Sequence, residues 1–280
     1  MDFIVIDVET ANPDFSSICQ VGIAIFTNGQ FSESWNSYVN PNDYFDPYNV
    51  AIHGIDESKV ANAPMWHEVH ERLQSSFSNQ ILASHTPFDR TAIHRACEKS
   101  SISPIECRWL DTSRVVRRTW PEFSKSGYGL ANLAKHFNIQ FKHHDAEEDA
   151  RAAGEILLRA INETGSSADE WCSLALRTTS RTSETLDANP DGPLFGNIVV
   201  FTGALSIPRH EAANAAANAG CNIGSSVNKH TTLLVVGDQD ISRLAGADKS
   251  TKHRKAEELI EKGQIIRIIG ESDFGRLING

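Results

Sequence analysis

The chain has 280 residues, 40% of them apolar and 8% aromatic, and a formal charge of −10. That length suits about two domains with packed cores, and no apolar run approaches the roughly 20 residues that a membrane span needs. The acid excess lies wholly before Asp191, because from there on ten basic residues offset ten acidic ones. This argues against a broad, nonspecific nucleic-acid-binding surface and suits a site that gathers carboxylates for divalent cations.

FIVIDVET opens the chain at residues 3–10 and reads as a buried strand. Its end carries Asp7 and Glu9, which in a strand point to the same face. Burying two like charges without a partner costs on the order of several kcal/mol, so a positive group is expected between them, or an open strand end. Residues 17–27 and 30–39 read as two more strands, and the Asn28-Gly29 pair between them is a hairpin signal. A helical pattern runs over 64–76, QILASH is a short strand, and 87–99 is a helix with Pro87 in its first turn. RWLDT is a strand end, and 128–137 and 145–161 are helices. A hairpin followed by alternating strands and helices predicts a mixed sheet with helices on its faces.

Residues 178–193 are rich in Thr, Ser, Asp, Asn and Pro, with little apolar periodicity, which is a linker signature. The expected layout is a first domain over 1–170, a linker over 171–192 and a second domain over 193–280. The second part reads NIVVFTG strand, RHEAANAAANAG helix, CNIGSSV strand, TTLLVVG strand, STKHRKAEELIEKG helix, QIIRIIG strand and ESDFGRLI helix. That is a small α/β unit, able to fold alone. Cysteines 19, 97, 107, 172 and 221 are dispersed, without a CxxC pair. They fit a reducing cytosol better than a disulfide framework or zinc finger. No basic segment followed by an apolar one opens the chain, so no secretory signal is expected and the expected location is cytoplasmic.

Acids stand where a core pattern does not predict them: Asp7 and Glu9, Asp89 in SHTPFDRTAI, and Asp149 in HHDAEEDARAAGEILL. Each has an ordinary explanation. Asp89 in a first helical turn suits the helix dipole, Asp149 could be a solvated helix position, and the His143-His144 pair could be surface histidines. Together they form a pattern. DVET after a strand, SHTPFD before a helix, and HDAEEDA with H-x4-D spacing resemble the three exonuclease motifs of the DEDDh family. That family includes the proofreading epsilon subunit of bacterial DNA polymerase III and RNase T. AIHGID and YGLANLAKHFNI resemble further segments of those proteins, and the resemblance covers about residues 1–165.

The resemblance implies an RNase H-like fold and a 3'-5' exonuclease acting on DNA, with RNA as a variant. It implies two divalent cations, Mg²⁺ or Mn²⁺. Asp7 would bridge both ions, Glu9 and Asp149 would hold one, Asp89 would serve the other directly or through water, and His144 would take the proton from the attacking water. His143 competes for that role, but only His144 gives the H-x4-D spacing. Thr10, His85 and Phe88 would meet substrate. The family's usual Asn before Phe-Asp is here Thr86, which bears on substrate contacts and not on the metal site. Without bound metal, Asp7 and Glu9 are expected to be the least comfortable charges in the first domain.

The second part, about residues 191–280, resembles a BRCT domain of the type in bacterial NAD-dependent DNA ligases and the large clamp-loader subunit. FTG, an Arg six residues after that Gly, TTLLVVG, TKHRKAEEL and IIGESDF carry this resemblance. It implies that Thr202, Gly203, Arg209 and Lys252 form a pocket for a DNA 5'-phosphate or a phosphorylated peptide, and that a replication or repair protein is a partner. The rival reading is a catalytically weak scaffold that works mainly through BRCT binding. A scaffold would be free to lose metal ligands, and all five motif positions are filled.

Overall fold

In the computed structural model, residues 2–123, 127–175, 187–237 and 249–279 are described. The chain divides into two compact units, Met1–Arg177 and Thr178–Gly280.

The first unit is built on β1 (Phe3–Thr10), a near-continuous apolar run buried on both faces. β2 (Ile18–Thr27) and β3 (Gln30–Tyr38) form the expected hairpin, closed by Asn28 and Gly29 at φ 54° and 74°. Positive φ at both central residues is what a tight hairpin of this twist requires. The chain continues through α1 (Pro47–His53), α2 (Glu57–Val60), α3 (Trp66–Phe77), β4 (Ile81–Ser84), α4 (Phe88–Lys99), β5 (Arg108–Asp111) and α5 (Thr112–Thr119). It ends with α6 (Leu130–Phe137), α7 (Ala146–Thr164) and α8 (Ala168–Ala175). The sheet order is β3-β2-β1-β4-β5. β2 runs antiparallel to β1 and β3, whereas β4 runs parallel to β1 and β5.

Strand alternation assigns the helices to faces. Gly22, Ala24 and Phe26 face α7, and the main core joins Phe3, Val5, Ala24 and Phe26 to Ala153, Ile156 and Leu157 of that helix. Ile23 and Ile25 point the other way, toward Leu73 of α3. Close approach is obligatory on the α7 side: a Cβ on Gly154 would fall 2.1 Å from the Phe26 ring.

Helix α8 corrects the expected boundary. Residues 171–175 were assigned to the linker, yet Ala168, Trp171 and Cys172 are buried in the core of the first unit. Arg118 also donates to the Leu174 carbonyl at 2.7 Å. A single helix anchored by the buried Trp171, with the smaller Ala168 and Cys172 beside it, outweighs its polar neighbourhood in sequence. The other end moves too. Asn189 N–H donates to the Ala217 carbonyl at 2.8 Å, so residues 189–192 belong with the second unit. Residues 176–186, half of the expected linker, lie outside the described residues.

In the second unit β6 (Ile198–Thr202), α9 (Arg209–Asn218), β7 (Asn222–Gly224), β8 (Leu233–Val236), α10 (Thr251–Glu261), β9 (Arg267–Gly270) and α11 (Glu271–Asn279) follow in turn. The four strands are all parallel, in the order β7-β6-β8-β9. Val200, Leu234, Val236, Ala256 and Ile266 form its core. Among the described residues, no helix is long and apolar enough to cross a membrane.

Candidate active site

The site forms where β1 outruns its parallel pairing with β4. That pairing aligns Ile4 with Leu82 and Val5 with Ala83. Beyond it, the Val8 N–H is taken by Asp89 Oδ1 at 3.2 Å, reaching across from the first turn of α4. Asp7 and Glu9 lie on this overhang, and the end of an open α/β strand is the usual place for a ligand crevice.

Three details of the hairpin deliver Asp149 onto the overhang. Asp7 is in register with Gly22, and Gly22 with Asn36. A Cβ on Gly22 would lie 2.0 Å from the Ala146 carbonyl carbon and 2.2 Å from the Glu147 nitrogen, so the first turn of α7 rests directly on the strand. Gln20 Oε1 accepts from the Ala146 N–H at 3.4 Å, and Glu147 accepts from Ser34 Oγ at 2.5 Å and from Asn36 Nδ2. The helix start is thereby pinned to β2 and β3, and Asp149 lies in its first turn.

Carboxylate oxygens of Asp7, Glu9 and Asp149 come within 4.8 Å of one another. Glu9 is 9% and Asp149 4% exposed. Asp149 Oδ2 accepts the His144 N–H at 2.9 Å, whereas its Oδ1 is buried without a hydrogen-bond partner. Burial, reinforced by the charges of Asp89, Asp145 and Glu148, pushes the Asp149 carboxyl up to about 7 against the pull of that N–H. Asp149 is the most deeply buried of the three. Asp89 stands one step back, outside this triplet, its Oδ1 turned to Val8.

His144 precedes α7, as its spacing suggests, with φ of 65°. Its Nδ1 lies 4.0 Å from Glu9 Oε1. The His143 ring lies beside it, with centroids 3.8 Å apart, and burial lowers the His143 pKa.

The residues expected to meet substrate divide. Thr10 is half-buried at the rim, its carbonyl held by Asn49 Nδ2 at 2.8 Å and by His53 Nε2 at 3.2 Å. Because Ile55 N–H donates to His53 Nδ1 at 3.0 Å, the neutral ring carries its proton on Nε2 and donates to Thr10. Burial lowers the His53 pKa, and the Lys59 charge adds to this, which keeps that tautomer. Phe88 packs against Phe15 with ring centroids 5.7 Å apart and planes tilted by 56°, and it is half-buried. His85 is otherwise engaged: Nε2 donates to the Tyr128 carbonyl and Nδ1 accepts from Thr112 Oγ1, both at 2.8 Å. Its two ring nitrogens tie β4 to neighbouring segments, so a polar contact from His85 to substrate is not what this geometry provides.

Asn49, Gln20 and Gly22 carry no motif signal in the sequence, and His53 carries only the resemblance of AIHGID. DPYNVAIHG did hold a helix signal: Asp46 caps α1, Pro47 opens it and Gly54 closes it at φ 73°.

In the second unit, Arg209 Nη1 and Lys252 Nζ both donate to the Phe201 carbonyl, at 2.7 and 3.0 Å. Arg209 Nη2 donates to Gly203 O at 2.9 Å, and Thr202 Oγ1 pairs with Ser250 Oγ, the cap of α10, at 2.7 Å. The four residues are therefore brought together. Burial and then the Arg209 charge lower the Lys252 pKa.

A family model described as Exonuclease matches residues 4–157. The chain belongs to the exonuclease family. A DNA polymerase III PolC-type of Caldanaerobacter subterraneus is 28% identical over 166 residues, 58% of this chain and 12% of that protein. The 3'-5' exonuclease DinG of Bacillus subtilis is 28% identical over 168 residues, 58% of this chain and 18% of that protein. The match thus spans less than a fifth of either relative. The structure of Exonuclease X in complex with 5' overhanging duplex DNA aligns with a TM-score of 0.52 at 21% identity, covering 61% of this chain and 98% of that one. At that identity the likeness is one of fold: the mixed α/β sheet of the exonucleases.

Proposed function

We propose that the first unit is a metal-dependent 3'-5' exonuclease that hydrolyses phosphodiester bonds of DNA, and secondarily RNA, from the 3' end. One observation carries this reading: three carboxylates from β1 and α7 converge within 4.8 Å, and the Asp149 Oδ1 among them is buried without a partner. Carboxylates so placed repel, and a divalent cation offsets that repulsion. An all-oxygen donor set suits Mg²⁺ or Mn²⁺. Two such ions would supply charge stabilisation to the attacking and leaving oxygens. Asp7 would contact both, Glu9 and Asp149 one, and Asp89 would serve the other directly or through water. His144, beside Glu9, accepts a proton from the attacking water, a task suited to imidazole near neutral pH. Thr10, held by Asn49 and His53, shapes the rim where the terminal nucleotide docks.

The relatives named 3'-5' exonuclease DinG and DNA polymerase III support the polarity and the preference for DNA. A cytoplasmic setting in replication or repair goes with that reading. The test is mononucleotide release from matched single strands of DNA and RNA in Mg²⁺ or Mn²⁺. Asp7→Ala should abolish it, and wild-type rates in that variant would sink the assignment.

We further infer a BRCT-like docking role for the second unit. Two cations converge on the Phe201 carbonyl, and among the described residues no carboxylate lies within ion-pair distance of Arg209 or Lys252. A phosphate, on a DNA 5' end or a protein, would offset both charges. The scaffold alternative shares this role and differs in predicting no hydrolysis.

A further inference from the structure

Asp149 faces two donor sets. One is the carboxylate pair Asp7 and Glu9. The other is the imidazole pair His143 and His144, whose ring nitrogens also lie within 4.8 Å of the Asp149 carboxylate and of each other. Adjacent residues seldom aim two rings at one point. Here His144 takes φ of 65°, and the rings stand 3.8 Å apart, inclined by 38°. The Asp149 Oδ1 shared by the two donor sets is buried without a hydrogen-bond partner.

We propose that His143, His144 and Asp149 form a second metal site, selective for Zn²⁺ and similar imidazole-seeking ions, whose filling silences the carboxylate site beside it. Two nitrogens and one oxygen favour zinc over magnesium, which prefers carboxylates and water. Tetrahedral zinc at about 2.0–2.1 Å needs donors about 3.3 Å apart. The three donors, within 4.8 Å of one another, would have to close to that spacing around the ion, with water as the fourth ligand. Zinc held there would occupy a His144 nitrogen and draw Asp149 away from Asp7 and Glu9. His143, which has no role in the proposed hydrolysis, would make the site.

The silencing part rests on the exonuclease reading; the binding part does not. The decisive experiment titrates Zn²⁺ into the metal-stripped full chain against a chromogenic chelator. Wild type should hold one zinc. The Asp7→Asn/Glu9→Gln double variant should hold it within about threefold, and His143→Ala at least about tenfold more weakly, as expected for a lost ligand. His143→Phe should match His143→Ala while keeping the ring contact with Phe141, which guards against misfolding. Unchanged zinc affinity in both His143 variants, or its loss in the double variant, overturns the proposal. In the Mg²⁺-supported nuclease assay, the His143 variants should need at least about tenfold more zinc for the same inhibition. Absent Mg²⁺-supported hydrolysis with this zinc-binding pattern intact would count against the exonuclease reading alone.

Discussion

Replacing Asp149 by Asn should change how the stability of the first unit responds to pH. The Asp149 carboxyl rises from 3.8 to about 7 in the folded, metal-free protein, chiefly through burial. The native state then holds that proton more tightly than the unfolded chain does. Stability therefore falls as pH climbs from about 4, and the loss is complete above about 7. The full difference is worth about 4 kcal/mol, an upper bound because the unfolded chain is not fully hydrated. Between pH 5 and pH 8 the expected loss is about 2 to 3 kcal/mol in wild type and absent in Asp149→Asn, which mimics the neutral form. Its amide sets an offset between the two curves but not their difference in slope.

All five tryptophans, at 35, 66, 109, 120 and 171, lie in the first unit. Urea unfolding followed by tryptophan fluorescence in EDTA thus reports on that unit alone. Millimolar Mg²⁺ should restore wild-type stability at pH 8, by about 2.7 kcal/mol at a hundredfold excess over Kd, and leave Asp149→Asn nearly unmoved. Parallel pH profiles for the two proteins would refute the argument that burial of this carboxylate strains the site.

Gly22→Ala should cost about 3 kcal/mol or more, because its methyl would meet the Ala146 backbone at 2.0 Å; Mg²⁺ affinity, read by calorimetry, should fall with it as α7 lifts Asp149 from Asp7. Thr86 holds φ of 101°, strained for a β-branched residue, so Thr86→Asn should stabilise the unit by about 0.5–1 kcal/mol in urea unfolding. Arg209→Ala with Lys252→Ala should weaken binding of 5'-phosphorylated duplex DNA or of a phosphopeptide at least about tenfold by fluorescence anisotropy, and unchanged binding of both would remove the phosphate pocket. His53→Ala should raise KM more than it lowers kcat, since its ring steadies the Thr10 carbonyl and lies outside the carboxylate triplet.

Several features were legible in the chain itself, because local chemistry dictates them. Asn28-Gly29 specifies a tight turn by its tolerance of positive φ, and the apolar run before Asp7 specifies a strand buried on both faces. The alternation of strands and helices specifies a mixed sheet. Asp7 and Glu9 stand out because acids at i and i+2 on a core strand violate the burial pattern, whereas Asp89 and Asp149 are marked by the resemblance of SHTPFD and HDAEEDA to exonuclease motifs. The boundary at 170 failed because the polar composition around it masked Trp171 and Cys172, whose burial depends on a core formed elsewhere. His85 was read as a substrate contact from its motif; only the fold supplies Tyr128 and Thr112 to occupy its nitrogens. Proximity was likewise beyond the sequence. Asp7 and Asp149 are brought together by the absence of a side chain at Gly22 and by Glu147 reaching Ser34 and Asn36. Residue types declare which chemistry is possible. Close packing of a helix on a strand decides which oxygen is left buried and unpartnered, and here it is Asp149 Oδ1.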